Sequence, residues 1–258
     1  MLFISNMYIL RIFRSHIFLI RKSKILFMTI GIINAMHKEH EQIASLLTDA
    51  REVRAAHLCF LTGKLGGNTL VLGESGIGKV NAALCAATLI NEFMPDAMIN
   101  TGVAGGLEAK VGVMHVVVGQ RVAYHDVDCG PESEKGQVQG LPRYFEADSR
   151  LLRAAESLAS PTPLHSGLIC SGDRFITSAG ELAEIKATYP EALAVDMESG
   201  AIAQTCHLLG VPFLSFRIIS DTPGAEGHFE QYNDFWGTMA QRSFGVTKLF
   251  LENLPHNI

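Results

Sequence analysis

The chain is poor in cysteine, lacks any C-x-x-C pair, and carries no basic tract beyond its first 27 residues. Its five cysteines (Cys59, Cys85, Cys129, Cys170 and Cys206) are scattered and odd in number. That argues against a disulfide framework or a cysteine-built zinc site, reads them as small core residues, and fits a reducing cytosol. A net charge of −5 without a basic patch argues against nucleic acid or an anionic membrane as partner. What remains is ordinary globular composition, 48% apolar with 24 glycines over 258 residues, enough for one α/β domain.

The first 27 residues, "MLFISNMYILRIFRSHIFLIRKSKILF", differ from the rest. They hold Arg11, Arg14, Arg21, Lys22 and Lys24 and no acid. Charge interrupts every apolar run before about 18 residues, which disfavours a membrane-spanning helix. No small-residue cleavage site follows a clean apolar core, so a signal peptide is disfavoured too. We read this leader as an annotation artefact or a disordered extension, with a weak membrane-surface anchor as the alternative. A single working domain is expected over residues 28–258. Without the leader, 16 basic residues face 26 acidic ones.

From Met28 onward, short apolar runs alternate with helical patterns. "MTIGII", "AMINTG", "MHVVVG", "SGLICSG", "EALAVD" and "PFLSFRIISD" read as strands, and "HLCFLTGKL" with "NTLVLGES" as a hairpin across Gly66-Gly67-Asn68. Helices are expected at "KEHEQIASLL", from Gly78 to Glu92, at "SRLLRAAESLA" capped by Asp148 or Ser149, at "AGELAEIKATY", at "MESGAIAQTCHLLG" closed by Gly210, and at the terminal "FWGTMAQRSFGVTKLFLENL". Residues 126–147 read as a long loop. Such alternation implies a mainly parallel sheet between helix layers. Ligands of these sheets sit beyond the carboxyl ends of the strands, where Ser75, Gly102, Asp173 and Asp221 fall together.

One motif sits awkwardly. In "LVLGESGIGKVNAA", Gly73, Gly78 and Lys79 have the spacing of a phosphate loop, but Val80 stands where a hydroxyl would hold magnesium. "HDVD" at 125–128 invites a metal reading, yet its spacing matches no strong ligand signature.

Seven ordered segments give the chain a family likeness: "GIINAMHKE", "SGIGKVNAA", "NTGVAGGL", "YHDVD", "GLICSGDRFI", "AVDMES" and "RIISD". Together, from about Met28 to the C-terminus, they resemble the 5′-methylthioadenosine/S-adenosylhomocysteine nucleosidases of the nucleoside phosphorylase superfamily. The resemblance implies a three-layer α/β/α sandwich with a mixed, twisted central sheet. It implies hydrolysis of the N-glycosidic bond of adenine thionucleosides in the cytoplasm, with water as nucleophile, no metal, no organic cofactor, and a homodimer that shares the pocket. By the same resemblance Asp221 donates a proton to the departing base, Glu39 activates water, and Glu198 grips the ribose hydroxyls. Met197 lies under the sugar, Ser75 and Arg217 help place the water, and Gly76 and Gly78 form a turn beside it. Phe175 stacks on adenine while the Ile176 backbone reads its edge. Gly105 and Ser220 are further binding positions, and Met36 and Tyr232 are candidates for the alkylthio pocket. "HDVD" belongs to the dimer and substrate loop.

The chain departs from the family pattern at Asp196, where Glu is common, at Asn34, where Gly is common, at Pro223 after Asp221, and over 129–142. Three rival readings are a phosphate-dependent phosphorylase, an aminofutalosine nucleosidase and a non-catalytic nucleoside-binding module. The acid in "NAMHKE" would repel phosphate, and all three carboxylates are present, which favours hydrolysis.

Overall fold

The computed structural model describes residues 27–236 and 240–255; the leader reading concerns residues that lie outside this description. Among the described residues, ten strands form one sheet: β1 Thr29–Asn34, β2 Thr48–Ala55, β3 Leu58–Leu65, β4 Asn68–Glu74, β5 Ala97–Gly106, β6 Val116–Tyr124, β7 Phe145–Glu146, β8 Leu164–Ser171, β9 Ala192–Asp196 and β10 Phe213–Asp221. The helices are α1 His37–Ala44, α2 Lys79–Phe93, α3 Ser149–Glu156, α4 Ala179–Thr188, α5 Ser199–Leu209, α6 His228–Asp234 and α7 Ala240–Glu252.

Both faces of the central strands are covered, which explains their continuous apolar runs. Met98, Val117 and Ile219 point into one core with residues of α2 and α5. Their neighbours Ile99, Val116, Val118 and Ile218 point into the opposite core with residues of α1, α3 and α7. The period of two along each strand thus feeds two layers of helix. As expected, the Asp148 carboxylate caps α3, accepting from Arg150 N and Leu151 N, and Gly210 ends α5 in the left-handed conformation.

The mainly parallel sheet read from strand–helix alternation is corrected: the sheet is mixed. β1 pairs in parallel with β4 and β5, but β10 runs antiparallel to β6, and β9 antiparallel to β5. The pairings β5–β10, β10–β6, β6–β8, β8–β9 and β9–β5 close a five-strand ring, from which β1, β4, β3 and β2 extend as an open wing. Three elements escaped the pattern, the shortest being β7, which pairs with β6 inside the stretch 126–147 read as a loop. β2, "TDAREVRA", is exposed almost throughout and lacks apolar alternation. The terminal helix expected from Phe235 is preceded by a separate short helix, α6, after a turn with Gly224 and Gly227 at positive φ.

The junction of ring and wing positions the site. One edge of β5 pairs with β1 up to Asn100 and resumes with β9 at Gly105. Between those points its backbone faces side chains instead of a strand. Asn34 Nδ2 donates to Thr101 O at 3.0 Å, and Val103 N donates to Glu39 Oε1 at 2.9 Å. A buried peptide group must find a partner, so each gap in the ladder fixes a polar side chain.

Candidate active site

One cavity opens at that gap, and Met36, Glu39, Gly105, Phe175, Ile176, Met197, Glu198, Arg217, Ser220, Asp221 and Tyr232 are among the residues lining it. The three carboxylates named from the sequence therefore meet, from α1, the start of α5 and the end of β10. Of the glycine turn, Ile77 lines the cavity. Ser75, Gly76 and Gly78 are not among the lining residues. The Ser75 hydroxyl donates to Gly76 O at 2.8 Å, so it is turned to the backbone.

Glu39 lies in the first turn of α1, where the helix dipole favours an anion. Its Oε2 accepts from Ala35 N and Met36 N at 3.2 and 3.1 Å. With Val103 N on the other oxygen, three backbone amides fix the carboxylate. Burial pushes its pKa up, opposed by the nearby Arg217 charge and those amides. Gly102 makes room: a Cβ there would lie 2.6 Å from Glu39 Oε1 and 2.7 Å from Arg217 Nη1, in a backbone with φ +153°.

Arg217 is almost fully buried and organises the end of the cavity that holds Glu198. Its Nη2 lies 2.6 Å from Asp196 Oδ2 and 3.7 Å from Glu198 Oε2, and it also donates to Asn100 Oδ1. Ser199 joins the same knot through Asp196, Asn100 and Ser215. Glu198 Oε1 accepts from Gly78 N at 3.0 Å. Burial raises its pKa to about 7, against the pull of Arg217 and with the push of Asp196. Asp196, Asn100 and Ser199 were not singled out as site residues. Their types are common core and helix-cap choices, and only the departure at Asp196 hinted at a role.

The end at Asp221 is sparser. Asp221 Oδ1 accepts from Ser220 Oγ at 2.6 Å, and His228 Nε2 lies 3.2 Å from Oδ2, off the line of a hydrogen bond. Burial raises the Asp221 pKa, against both of those neighbours. His228 is a further residue that sequence reading missed, because nothing in "GHFEQ" marks it as a neighbour of Asp221. Phe175, 44% exposed, packs its ring 5.6 Å from that of Tyr232 and 5.7 Å from that of His228. The Tyr232 hydroxyl points at Met36 Sδ, 3.6 Å away. Burial raises the tyrosine pKa, and the charges of Glu39, Asp221 and Glu198 add to the rise. All three carboxylates thus act on one phenol.

The arrangement can protonate a flat base at one end, hold a polyol at the other, and deprotonate a water between them. Comparison with known proteins points the same way. The phosphorylase superfamily model matches residues 29–252. A 5′-methylthioadenosine/S-adenosylhomocysteine nucleosidase of Staphylococcus haemolyticus is 39% identical over 228 residues, covering 87% of this chain and all of the relative. One from Actinobacillus succinogenes is 42% identical over 210 residues, covering 80% and 91%. Among solved structures, the Neisseria meningitidis nucleosidase in complex with methylthio-immucillin-A superposes with a TM-score of 0.83 at 39% identity, covering 88% of this chain and all of that one. The Streptococcus pyogenes S-adenosylhomocysteine nucleosidase with 5-methylthiotubericidin gives 0.84 at 36% identity, covering 89% and 98%.

Proposed function

Because the chain belongs to the phosphorylase superfamily, and within it to the 5′-methylthioadenosine/S-adenosylhomocysteine nucleosidases, we propose that Asp221, Glu39 and Glu198 carry its reaction. The enzyme is an N-glycosyl hydrolase, cleaving both nucleosides to adenine and the thioribose. In our reading the bond from C1′ to N9 breaks and its electron pair leaves with adenine. Asp221 gives its proton to N7 of the base, which makes that pair stable on the leaving group. Positive charge builds on the sugar, where Glu198 in its ionised form stabilises it. Water attacks C1′ and Glu39 takes its proton. Solvent then carries a proton from Glu39 back to Asp221 for the next turnover. Each positioned acid or base is worth about 10²–10⁴-fold.

The observation that carries this reading is the convergence of the three carboxylates on a single cavity. The raised pKa of Asp221 supports its role, since an ordinary aspartate is ionised at neutral pH. A phosphate nucleophile is disfavoured by the glycine turn itself. Its amides are taken by the chain's own carboxylates, Gly78 N by Glu198 and Lys79 N by Asp173. Chromatography of products from methylthioadenosine, adenosylhomocysteine, deoxyadenosine and aminofutalosine, with and without phosphate, tests the reading. Adenine release from the first two without phosphate is expected; a sugar 1-phosphate would sink it.

We assign the working form to a homodimer. Ile77, Val80 and Leu84 are 54%, 69% and 49% exposed at the start of α2, and Ile77 also lines the cavity. A second copy seated there would bury this apolar strip and complete the cavity mouth. Light scattering is expected to give twice the chain mass, and Val80→Glu to give monomers; a parent protein of single-chain mass refutes the assignment. The scattered free cysteines suit the reducing cytoplasm in which we place it.

A further inference from the structure

Two motifs are left over by this chemistry: the Gly78-Lys79 pair with its phosphate-loop spacing, and "HDVD" at 125–128. The structure joins them. Asp126 Oδ2 accepts from Lys79 Nζ at 2.8 Å and from Asp173 N at 2.8 Å. Asp173 Oδ1 in turn accepts from Lys79 N at 2.7 Å. Three strand ends, after β4, β6 and β8, are thereby tied at one point. The seam is tight. A Cβ on Gly172 would lie 2.6 Å from the His125 ring and 2.7 Å from the Asp126 carboxyl, and one on Gly78 would lie 3.0 Å from Asp173 Oδ1. Lys79 and Asp126 side chains are 25% and 15% exposed, and Lys79 Nζ sits 5.4 Å from the centre of the Tyr124 ring. That ring packs where a Cβ on Gly200 would fall, within the first turn of α5, and its hydroxyl donates to Gln204 Oε1.

We propose that Lys79 and Asp126 are positioning residues, a latch that fixes the loop carrying Phe175 and Ile176 against the turn that holds Glu198. The proposal rests on the site reading above. Neither side chain lines the cavity, so neither touches substrate. On one side of the latch, the amide of Gly78 holds Glu198. On the other, Asp173 leads directly into Arg174, Phe175 and Ile176. Lys79 is also the counter-ion that lets Asp126 and Asp173 approach the same turn. Burial works to raise the Asp126 pKa, but Lys79 and the Asp173 amide outweigh it and hold the carboxyl below its ordinary range. The Asp126 carboxyl therefore stays ionised at neutral pH. The loop that looks built for phosphate grips the chain's own carboxylates.

The test is a double-variant cycle in the full chain, with methylthioadenosine as substrate and kcat/KM as readout. Small misplacements in an oriented site cost up to about 10²-fold, so Lys79→Met is expected to lose at least about tenfold, and Lys79→Arg to recover most of it. The combination Lys79→Met with Phe175→Ala is expected to lose clearly less than the product of the two single losses, because both act through one loop. A merely structural lysine would lower the melting temperature and leave the losses multiplicative, which would overturn the latch. So would unchanged kcat/KM in Lys79→Met. If that variant does not fold, the near-isosteric Asp126→Asn goes through the same cycle with the same criteria. Phe175→Ala separates the two readings. If it costs nothing, the site assignment fails and takes the latch with it; if it costs activity while the latch variants are silent, only the latch fails.

Discussion

The two ends of the cavity are built in opposite ways. At the proposed sugar end, Arg217, Asp196, Glu198, Asn100 and Ser199 are all buried and share one set of hydrogen bonds and ion pairs. They sit inside β5 and β10, at the end of β9 and at the start of α5. At the base end, Asp221 has two polar neighbours, and its aromatic surroundings come from a loop and the short helix α6, with Phe175 44% exposed. Groups that must meet developing charge gain from being immobile. Groups that must admit and release a flat ring gain from few bonds and local freedom. The sugar end should therefore fail by unfolding, and the base end by losing rate.

Arg217→Met probes that contrast most strongly. It strands Asp196 and Glu198 without their cation, and breaking a buried pair this way costs about 3–5 kcal/mol. Urea unfolding should show that loss together with loss of activity, and adding Asp196→Asn should restore part of the stability. A shift below about 1 kcal/mol would mean that the knot contributes no more than a surface pair. Asp221→Asn is the converse. Turnover should fall by at least about 10²-fold while the urea midpoint barely moves. Near-normal turnover removes the acid assignment.

The smallest effect concerns pH. Glu198 has its folded pKa raised to about 7, above the ordinary value of about 4.3. Its contribution to stability is therefore complete below about pH 4.3 and is lost as pH climbs through about 7. Glu39 and Asp221, also raised, act in the same direction. Melting temperature of the ligand-free protein should fall between pH 5 and 8, and Glu198→Gln should flatten part of that slope. An equally steep slope in the variant would place the titration elsewhere.

Much of this was legible in the sequence, for physical reasons. Strands buried on both faces announce themselves as apolar runs, and β1, β5, β6, β8, β9 and β10 all read correctly. β2 did not, because an edge strand exposed on both faces carries Asp49, Arg51, Glu52 and Arg54 instead of an alternating pattern. Such charges also guard an open edge against pairing with other chains. Strand direction was illegible. Nothing local tells β9 to run against β5, so the ring had to be seen. The resemblance named three carboxylates that prove to share a cavity. It could not name their supports, since Asn100 and Ser199 are ordinary residues until Arg217 is placed beside them.

The interrupted ladder of β5 has one more consequence. Where a neighbouring strand would supply a carbonyl, Val103 N–H is answered by the Glu39 carboxylate. The amide proton of Val103 is thus an internal spectator of the group assigned to activate water. Its nuclear resonance will follow the charge on Glu39 through a titration, and will report whether a bound inhibitor has changed it, with no label placed in the cavity.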